Sequence, residues 1–233
     1  MVLDLSLLDS VKKFATAFLE LDIPLHILIN NAGVMGCPKS ETQDGLELQF
    51  GVNHIGHFYL TTLLLDKIKS SSPSRIVNLS SNGHYLHCPE EGIVFDDLSG
   101  TKHYDAWQRY GQSKLANILF TKELQNRLDT EGADVTVTAL HPGAINTNLA
   151  RHLSISTAFK LLLNPKVYRH IFSFKNVQQG VATTIFCALD PRVIKGGYYS
   201  DCNIEREEVN PHVHDSELAK KLWVVSEELV QSK

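Results

Sequence analysis

A tyrosine and a lysine one helical turn apart are the residues of this chain whose types and spacing most directly suggest chemistry. Tyr110 and Lys114 occur in the segment YGQSK, and residues four positions apart lie on the same face of a helix. An ammonium group favours the phenolate form of a neighbouring phenol, whose unperturbed pKa is about 10. The pair therefore predicts a general acid or base, Tyr110, whose pKa Lys114 lowers toward neutrality.

The Y-x-x-x-K spacing also occurs by chance in many helices, so the prediction depends on other motifs. The chain also contains NNAG at 30–33, VNHIGHF at 52–58, RIVNLSS at 75–81, FDDLSG at 95–100, HPGAINT at 141–147 and NVQQGVATTIFCAL at 176–189. Together their order and spacing resemble the short-chain dehydrogenase/reductase (SDR) superfamily, and within it the retinol dehydrogenase and WW-domain-oxidoreductase-like branch. The resemblance runs from Asp4 nearly to the C-terminus.

Strands that alternate with helices must position these motifs. Short, mostly apolar runs predict strands in PLHILIN (24–30), RIVNLSS (75–81), VTVTAL (135–140) and GGYYSD (196–201). We expect the first of these strands to be buried on both faces. Helical periodicity and a capping signature at Asp105 predict helices at 7–20, 42–69 with a break near Gly51, 105–128, 177–188 and 216–229.

This alternation predicts an α/β fold with a parallel sheet covered by helices on both faces. The resemblance implies a Rossmann-like three-layer αβα arrangement in one SDR-type domain spanning residues 1–233. Ligands of such sheets bind beyond the carboxyl ends of the strands. NNAG, the serines of RIVNLSS and the HPG of HPGAINT each follow a predicted strand, so three strand ends deliver polar groups to one edge.

The resemblance implies a catalytic set of four residues, which are Asn53, Ser81, Tyr110 and Lys114. Ser81 would orient the substrate oxygen, and Ser80 is the competing serine, interpreted as structural. Lys114 would also hydrogen-bond the nicotinamide ribose. Asn53 matches an asparagine that supports a proton relay, although an asparagine that merely bends the helix is the alternative interpretation.

The implied cofactor is NADP or NAD, and the family resemblance favours NADP. Besides Tyr110 and Lys114, the residues matched to cofactor-binding segments are Asn31, Ala32 and Gly33 beside the adenosine ribose and Pro142, Gly143, Ile145 and Thr147 beside the nicotinamide. Asp4 matches an aspartate near the adenine ring, and a plain N-cap for the first helix is the alternative. Small residues are needed in the first loop because the backbone must approach the cofactor closely.

One family motif is not found in this sequence. Family members begin with a strand and a glycine-rich turn, T-G-x-x-x-G-x-G, whose backbone N–H groups and helix N-terminus hold the cofactor diphosphate. None of the 14 glycines forms that pattern. The resemblance therefore implies that the first two strand-helix units are lacking and that this is an N-terminally shortened form.

Composition limits the partners that we expect. A net charge of −4 gives no general attraction to nucleic acid. The two H-x-x-H pairs have no evident third ligand, so no metal site is expected.

Residues 153–174 alternate apolar and basic side chains. They match the family's substrate lid and suggest a lipophilic substrate or peripheral membrane contact, with ordinary packing as the alternative. The resemblance makes a homodimer plausible. The compartment is not readable: the chain as given suggests a cytoplasmic protein, and its longer parent a membrane-associated one.

Two functions of different classes follow. The first is an oxidoreductase that transfers hydride between NAD(P) and a lipophilic alcohol or carbonyl compound of the retinoid, steroid or fatty type. The second is a catalytically inactive, truncated isoform that cannot hold the dinucleotide and acts as a protein-binding module.

Overall fold

The computed structural model of this chain describes residues 1–145, 175–207 and 209–231. These residues form one sheet with the spatial order β1-β2-β3-β4-β5. The strands are β1 (Ile27–Asn30), β2 (Ser74–Leu79), β3 (Val135–Leu140), β4 (Tyr198–Ser200) and β5 (Asn203–Ile204). The first four strands are parallel, and β5 runs antiparallel to β4. The predicted α/β class with a mainly parallel sheet is confirmed.

The predicted helices occur in the predicted order. The helices are α1 (Leu8–Leu19), α2 (Leu48–Phe50), a π-helical turn (Gly51–Ile55), α3 (Gly56–Ser70), α4 (Gly83–Leu86), α5 (Ala106–Glu131), α6 (Val177–Leu189) and α7 (Ser216–Gln231), with short 3₁₀ turns at Phe95–Asp97 and Pro211–His214. The short helix α4 was not predicted. The predicted N-cap of α5 is confirmed, because the Asp105 side chain accepts hydrogen bonds from the backbone N–H groups of Trp107 and Gln108.

Alternate residues of the central strands enter two separate cores, which makes the sheet the middle of three layers. Ile76 and Val137 belong to the larger core, which α1, α3, α5 and α7 cover. Val77 and Leu140 belong to a smaller core on the opposite face, which α6 covers. Successive residues of a strand point to opposite faces, so the predicted αβα layering is confirmed.

The second predicted helix differs from the observed one at its start. It was expected to begin at Thr42, whereas α2 begins at Leu48, because the Glu47 carboxylate accepts hydrogen bonds from the N–H groups of Gln49 and Phe50 and fixes the N-cap there. The expected break at Gly51 is a π-helical turn that leads directly into α3. The helix is therefore locally widened rather than interrupted.

The expectation that β1 is buried on both faces is wrong for one face. Asn30 is buried on the α3 side, where its amide donates to Thr61 Oγ1. Ile27 and Ile29 point to the other side and are 38% and 42% exposed. Because β1 is the edge strand and α6 packs over β2, β3 and β4, the described residues leave this face of β1 uncovered.

Helix α6 also carries exposed apolar side chains. Its residues Val177, Val181, Ile185 and Leu189 recur every fourth position and are all exposed. In the described part of the chain, no helix combines the length and apolar character that crossing a bilayer requires.

A buried ion pair attaches the segment before α5 to that helix. Asp97 and Arg109 are both about 4% exposed, and the guanidinium donates to the carboxylate and to the carbonyl oxygens of Asp97 and His103. Burial alone would raise the pKa of Asp97, but hydrogen bonds from the backbone of Lys102 and His103 and the Arg109 charge hold that pKa well below its usual range. The carboxylate is therefore ionised and balances the buried guanidinium.

We expect Asp97→Asn to lower the free energy of unfolding by about 3 kcal/mol, because it leaves the Arg109 charge buried without a counter-charge. The neighbouring Asp96 provides a matched control. It pairs with Lys102 at the surface, where both side chains are more than half exposed, so Asp96→Asn should leave the free energy of unfolding nearly unchanged. Denaturant unfolding of both variants measures the difference, and equal losses would contradict this account.

Candidate active site

The hydroxyl groups of Ser81 and Tyr110 meet at the carboxyl end of β2. Ser81 is the second residue after β2, and Tyr110 lies in the second turn of α5. The Ser81 side chain lies within hydrogen-bonding reach of the Tyr110 phenol, and Ser81 Oγ accepts a hydrogen bond from Gly83 N at 3.1 Å. Tyr110 is buried and Ser81 is partly exposed. Their two oxygens are thus close enough to contact the same small group.

Two glycines allow this approach, and the sequence analysis missed both. A Cβ atom at Gly83 would lie 2.8 Å from two carbons of the Tyr110 ring. One at Gly111 would lie 2.6 Å from the backbone nitrogen of Cys88. Only glycine lets α4 and α5 come this close without displacing the tyrosine. The signal in the sequence was a glycine inside the helical segment YGQSK, where a glycine otherwise weakens a helix.

Lys114 is buried one turn after Tyr110, as the spacing predicted. Its Nζ donates to the carbonyl oxygen of Leu79 at 3.1 Å and lies 5.7 Å from the centroid of the Tyr110 ring. The hydroxyl of Ser80 donates to the backbone oxygen of Lys114 at 2.7 Å. Ser80 therefore has a structural role, because it links the end of β2 to α5. The Ser81 hydroxyl, by contrast, lies beside the Tyr110 phenol.

The expected lowering of the Tyr110 pKa by Lys114 is not found. Burial raises the pKa of the phenol to about 12, and the hydrogen bond with Ser81 opposes this by a smaller amount. Burial also lowers the pKa of the Lys114 ammonium to about 8. The physical reason is that both groups have lost water, and desolvation disfavours the charged form of each. At neutral pH, Tyr110 is a protonated phenol.

Asn53 lies in the π-helical turn and clamps the loop that follows β1. Its amide oxygen accepts from Val34 N at 2.8 Å, and its amide nitrogen donates to Val34 O at 2.9 Å and to Ser113 Oγ at 3.0 Å. Both protons of the amide are thereby used. The ring of His57 hydrogen-bonds the backbone oxygen of Asn53 through Nδ1 at 3.0 Å. Asn53 therefore lies in the π-helical turn and also holds the loop after β1 in place.

The clamped loop contains the residues that match a cofactor segment. Asn31 and Ala32 are exposed, and Gly33 is partly exposed. A Cβ atom at Gly33 would lie 2.9 Å from Asn53 Oδ1 and 3.7 Å from Lys114 Nζ. The loop backbone thus approaches the lysine at a place where a side chain would not fit.

The HPG turn after β3 is fixed by His141. Its Nδ1 accepts from Gly143 N at 3.0 Å, so its Nε2 carries the proton and donates to Ser200 Oγ at 2.9 Å. Gly143 has a φ of +86°, which favours glycine. Ile145 forms a parallel bridge with Lys175. The predicted Pro142, Gly143 and Ile145 thus form one ordered turn at the sheet edge.

Two of the predicted sites need separate comment. Thr147 and the 153–174 segment lie outside the described residues. Asp4 does not cap the first helix as its alternative interpretation proposed: its carboxylate accepts from the backbone and the hydroxyl of Ser6, and α1 begins later, at Leu8. Its adenine-side role stays a prediction.

Gln49 is a further positioning residue that the sequence analysis missed. It is fully buried, accepts from Gly36 N at 2.8 Å and donates to Ala106 O at 2.9 Å. It therefore ties the loop after β1 to the first residue of α5. Because both bonds go to the backbone of distant segments, no local pattern could have indicated this role.

The geometry fits the ribose end of a nicotinamide dinucleotide. An ammonium has three N–H donors, and in the described residues Lys114 gives one to Leu79 and meets no second acceptor. The remaining donors face the loop at Gly33, which suits a ligand that carries hydroxyl groups. No glycine-rich turn for a diphosphate and no cluster of three or more metal-ligating side chains occurs among the described residues.

Comparisons with known proteins give a consistent result. The sequence model of the family described as short chain dehydrogenase matches residues 1–91 and 96–157. The chain is 46% identical over 237 residues to short-chain dehydrogenase TIC 32 A, chloroplastic, of Brassica napus, covering 99% of this chain and 71% of that protein. It is 46% identical over 230 residues to human retinol dehydrogenase 14, covering 98% of this chain and 65% of the relative.

Solved structures share the fold. A crystal structure of an uncharacterised protein from Mycobacterium Paratuberculosis superposes with a TM-score of 0.72 at 33% identity, covering 98% of this chain and 74% of that one. The NADPH-bound carbonyl reductase from chicken fatty liver superposes with a TM-score of 0.59 at 19% identity, covering 87% and 75% of the two chains. At that identity the second match supports the fold alone.

We expect Lys114→Met to stabilise the protein at pH 7. The pKa of Lys114 falls from 10.5 to about 8 on folding, so the folded state binds fewer protons than the unfolded state between those values. Stability therefore rises with pH across that window, and the full cost of burying the ammonium applies below it. After subtracting the bond to Leu79, removing the charge should raise the free energy of unfolding by about 2 kcal/mol.

Urea unfolding from pH 7 to pH 10 measures this effect. The advantage of Lys114→Met over the unchanged protein should shrink as the pH rises, whereas Lys12→Met, at an exposed position of α1, should change stability by less than about 0.5 kcal/mol throughout. A Lys114→Met variant that is less stable than the unchanged protein at pH 7 would contradict the assigned cost of burying the ammonium.

Proposed function

The chain belongs to the short-chain dehydrogenase family, and from that premise we propose that it transfers hydride between a nicotinamide dinucleotide and a lipophilic alcohol or carbonyl compound. The observation that carries the proposal is the position of the Ser81 hydroxyl beside the Tyr110 phenol, with the buried Lys114 one helical turn away. A nicotinamide dinucleotide, when bound, supplies or accepts the hydride. The residues of this chain then have to hold the substrate oxygen and move one proton.

In carbonyl reduction, Ser81 donates a hydrogen bond to the substrate oxygen and holds it beside the phenol. Tyr110 gives its proton to that oxygen, and the O–H bond so formed completes the product alcohol. A phenol with a pKa of about 12 is protonated at neutral pH, which is the state that proton donation requires.

The cofactor would be held mainly by Lys114 and by the backbone on either side of it. We propose that the Lys114 N–H groups bind ribose hydroxyls, with the loop of Asn31, Ala32 and Gly33 on one side. The turn of Pro142, Gly143 and Ile145 lies on the other. Asn53 acts as a positioning residue, because both of its amide protons are already donated within the protein.

The lipophilic substrate class rests on the relatives and on the surroundings of Tyr110. Several relatives at 44–46% identity are named retinol dehydrogenases, and we infer a related class of apolar alcohol or aldehyde here. The preference for NADP over NAD rests on the resemblance to that branch alone.

We expect Tyr110→Phe to reduce turnover by at least about a hundredfold, because it removes the transferred proton while keeping the ring. Affinity for the dinucleotide should change little. Steady-state oxidation of reduced cofactor with a long-chain aldehyde measures turnover, and protein-bound nicotinamide fluorescence measures affinity. Tyr59→Phe, in α3, is the matched control. Activity in Tyr110→Phe close to that of the control would exclude the proton-donor role.

In the competing function, the chain does not bind the dinucleotide and instead binds another protein. The observations that favour it are the apolar side chains exposed on β1 and α6 and the lack of a glycine-rich turn in the described residues. Calorimetric titration with NADPH and NADH separates the two functions. We expect micromolar binding that is tighter for NADPH and weakened at least about tenfold in Lys114→Ala, by loss of charge-assisted hydrogen bonds. No heat with either nucleotide would favour the competing function.

A further inference from the structure

A partly exposed indole borders the Tyr110 phenol. Trp107 lies one turn before Tyr110 on α5, and the two rings are perpendicular with centroids 6.4 Å apart. Trp107 is only partly buried. The surface beside the phenol is therefore an aromatic face that a ligand can reach.

Two neighbouring groups pack against the indole. The His87 ring packs against it with a centroid distance of 5.1 Å. A Cβ atom at Gly36 would lie 3.7 Å from Trp107 Cζ2, so the loop backbone passes along the benzo edge of the ring. That loop is itself fixed by the hydrogen bond from Gly36 N to Gln49. The indole is thus a rigid element, which can contact a ligand without first losing conformational freedom.

The groups around this ring are weakly polar. Burial lowers the pKa of His87, so its imidazole is neutral at pH 7. Tyr110 presents a protonated phenol on the other side. An aromatic face between two neutral rings favours flat apolar groups over small hydrated groups. Flat apolar groups can stack on such a face or pack against it edge to face.

We propose that Trp107 is a specificity-determining residue, which binds the flat hydrocarbon portion of an aryl or polyene alcohol or aldehyde whose oxygen lies at Ser81 and Tyr110. This inference rests on the proposed function and adds to it the region of the site that selects the substrate. Trp107 contributes to binding and not to proton transfer.

The kinetic test compares 2-naphthaldehyde with propanal in Trp107→Ala and Trp107→Phe. In Trp107→Ala the KM for 2-naphthaldehyde should rise about tenfold, which corresponds to one good aromatic contact, while its kcat and both constants for propanal change less than about twofold. Trp107→Phe should lie in between because it keeps an aromatic ring. Equal changes for both aldehydes, or a loss confined to kcat, would overturn the inference.

A binding test decides the question independently of turnover. The chain has two tryptophans, and Trp223 is buried against Phe120 and Arg127, so Trp223→Phe leaves Trp107 as the one indole reporter. Titration with the unreactive 2-methylnaphthalene should then quench the fluorescence saturably. In Trp107→Phe, where Trp223 reports, quenching should be absent. This result would support the inference even if no aldehyde were reduced, whereas no saturable quenching in Trp223→Phe would overturn it.

Discussion

The site depends on one set of contacts, in which consecutive residues at the end of β2 bind successive turns of α5. The pairs are Asn78 with Thr121, the Leu79 carbonyl with both Asn117 and Lys114, Ser80 with the Lys114 carbonyl, and Ser81 with Tyr110. Each step of one residue along the strand corresponds to three or four residues along the helix. The four-residue spacing of Tyr110 and Lys114 on the helix therefore corresponds to the single step from Ser80 to Ser81 after the strand. A shift of the helix by one residue would break every pair together.

These contacts explain how the fold keeps groups that do not favour burial. The Lys114 ammonium is desolvated and has a lowered pKa, yet the Leu79 carbonyl, the last of β2, is directed at it. The same carbonyl oxygen uses its second lone pair for Asn117, so no backbone acceptor is left unsatisfied there. Gly83 and Gly111 add a further requirement. A Cβ atom at Gly83 would lie 2.8 Å from the Tyr110 ring, and one at Gly111 would lie 2.6 Å from Cys88 N, so neither position has room for a methyl group.

The sequence predicted the parts of this arrangement that are local. Four of the five strands, the Asp105 cap and the one-turn spacing on α5 follow from periodicity and capping patterns, and the order of motifs indicated the family. The two-residue strand β5 was not predicted. The contacts made between distant segments were not predictable in this way. Gln49 bridges Gly36 and Ala106, and Asn53 in the π-helical turn hydrogen-bonds the backbone of Val34. The direction of the Tyr110 pKa shift was wrongly predicted because spacing gives proximity to a charge but says nothing about lost water.

The acid-base groups and the exposed apolar residues occupy opposite faces of the sheet. Asn30 at the end of β1 points toward the α3 and α5 side, where its amide donates to Asn78 Oδ1 and thereby joins β1 to the contacts between β2 and α5. Ile27 and Ile29 point the other way, toward the α6 side. Because alternate residues of one strand serve the two faces, covering or uncovering the isoleucines need not move Asn30. The surroundings of Tyr110 are therefore structurally separate from whatever contacts the exposed face of β1.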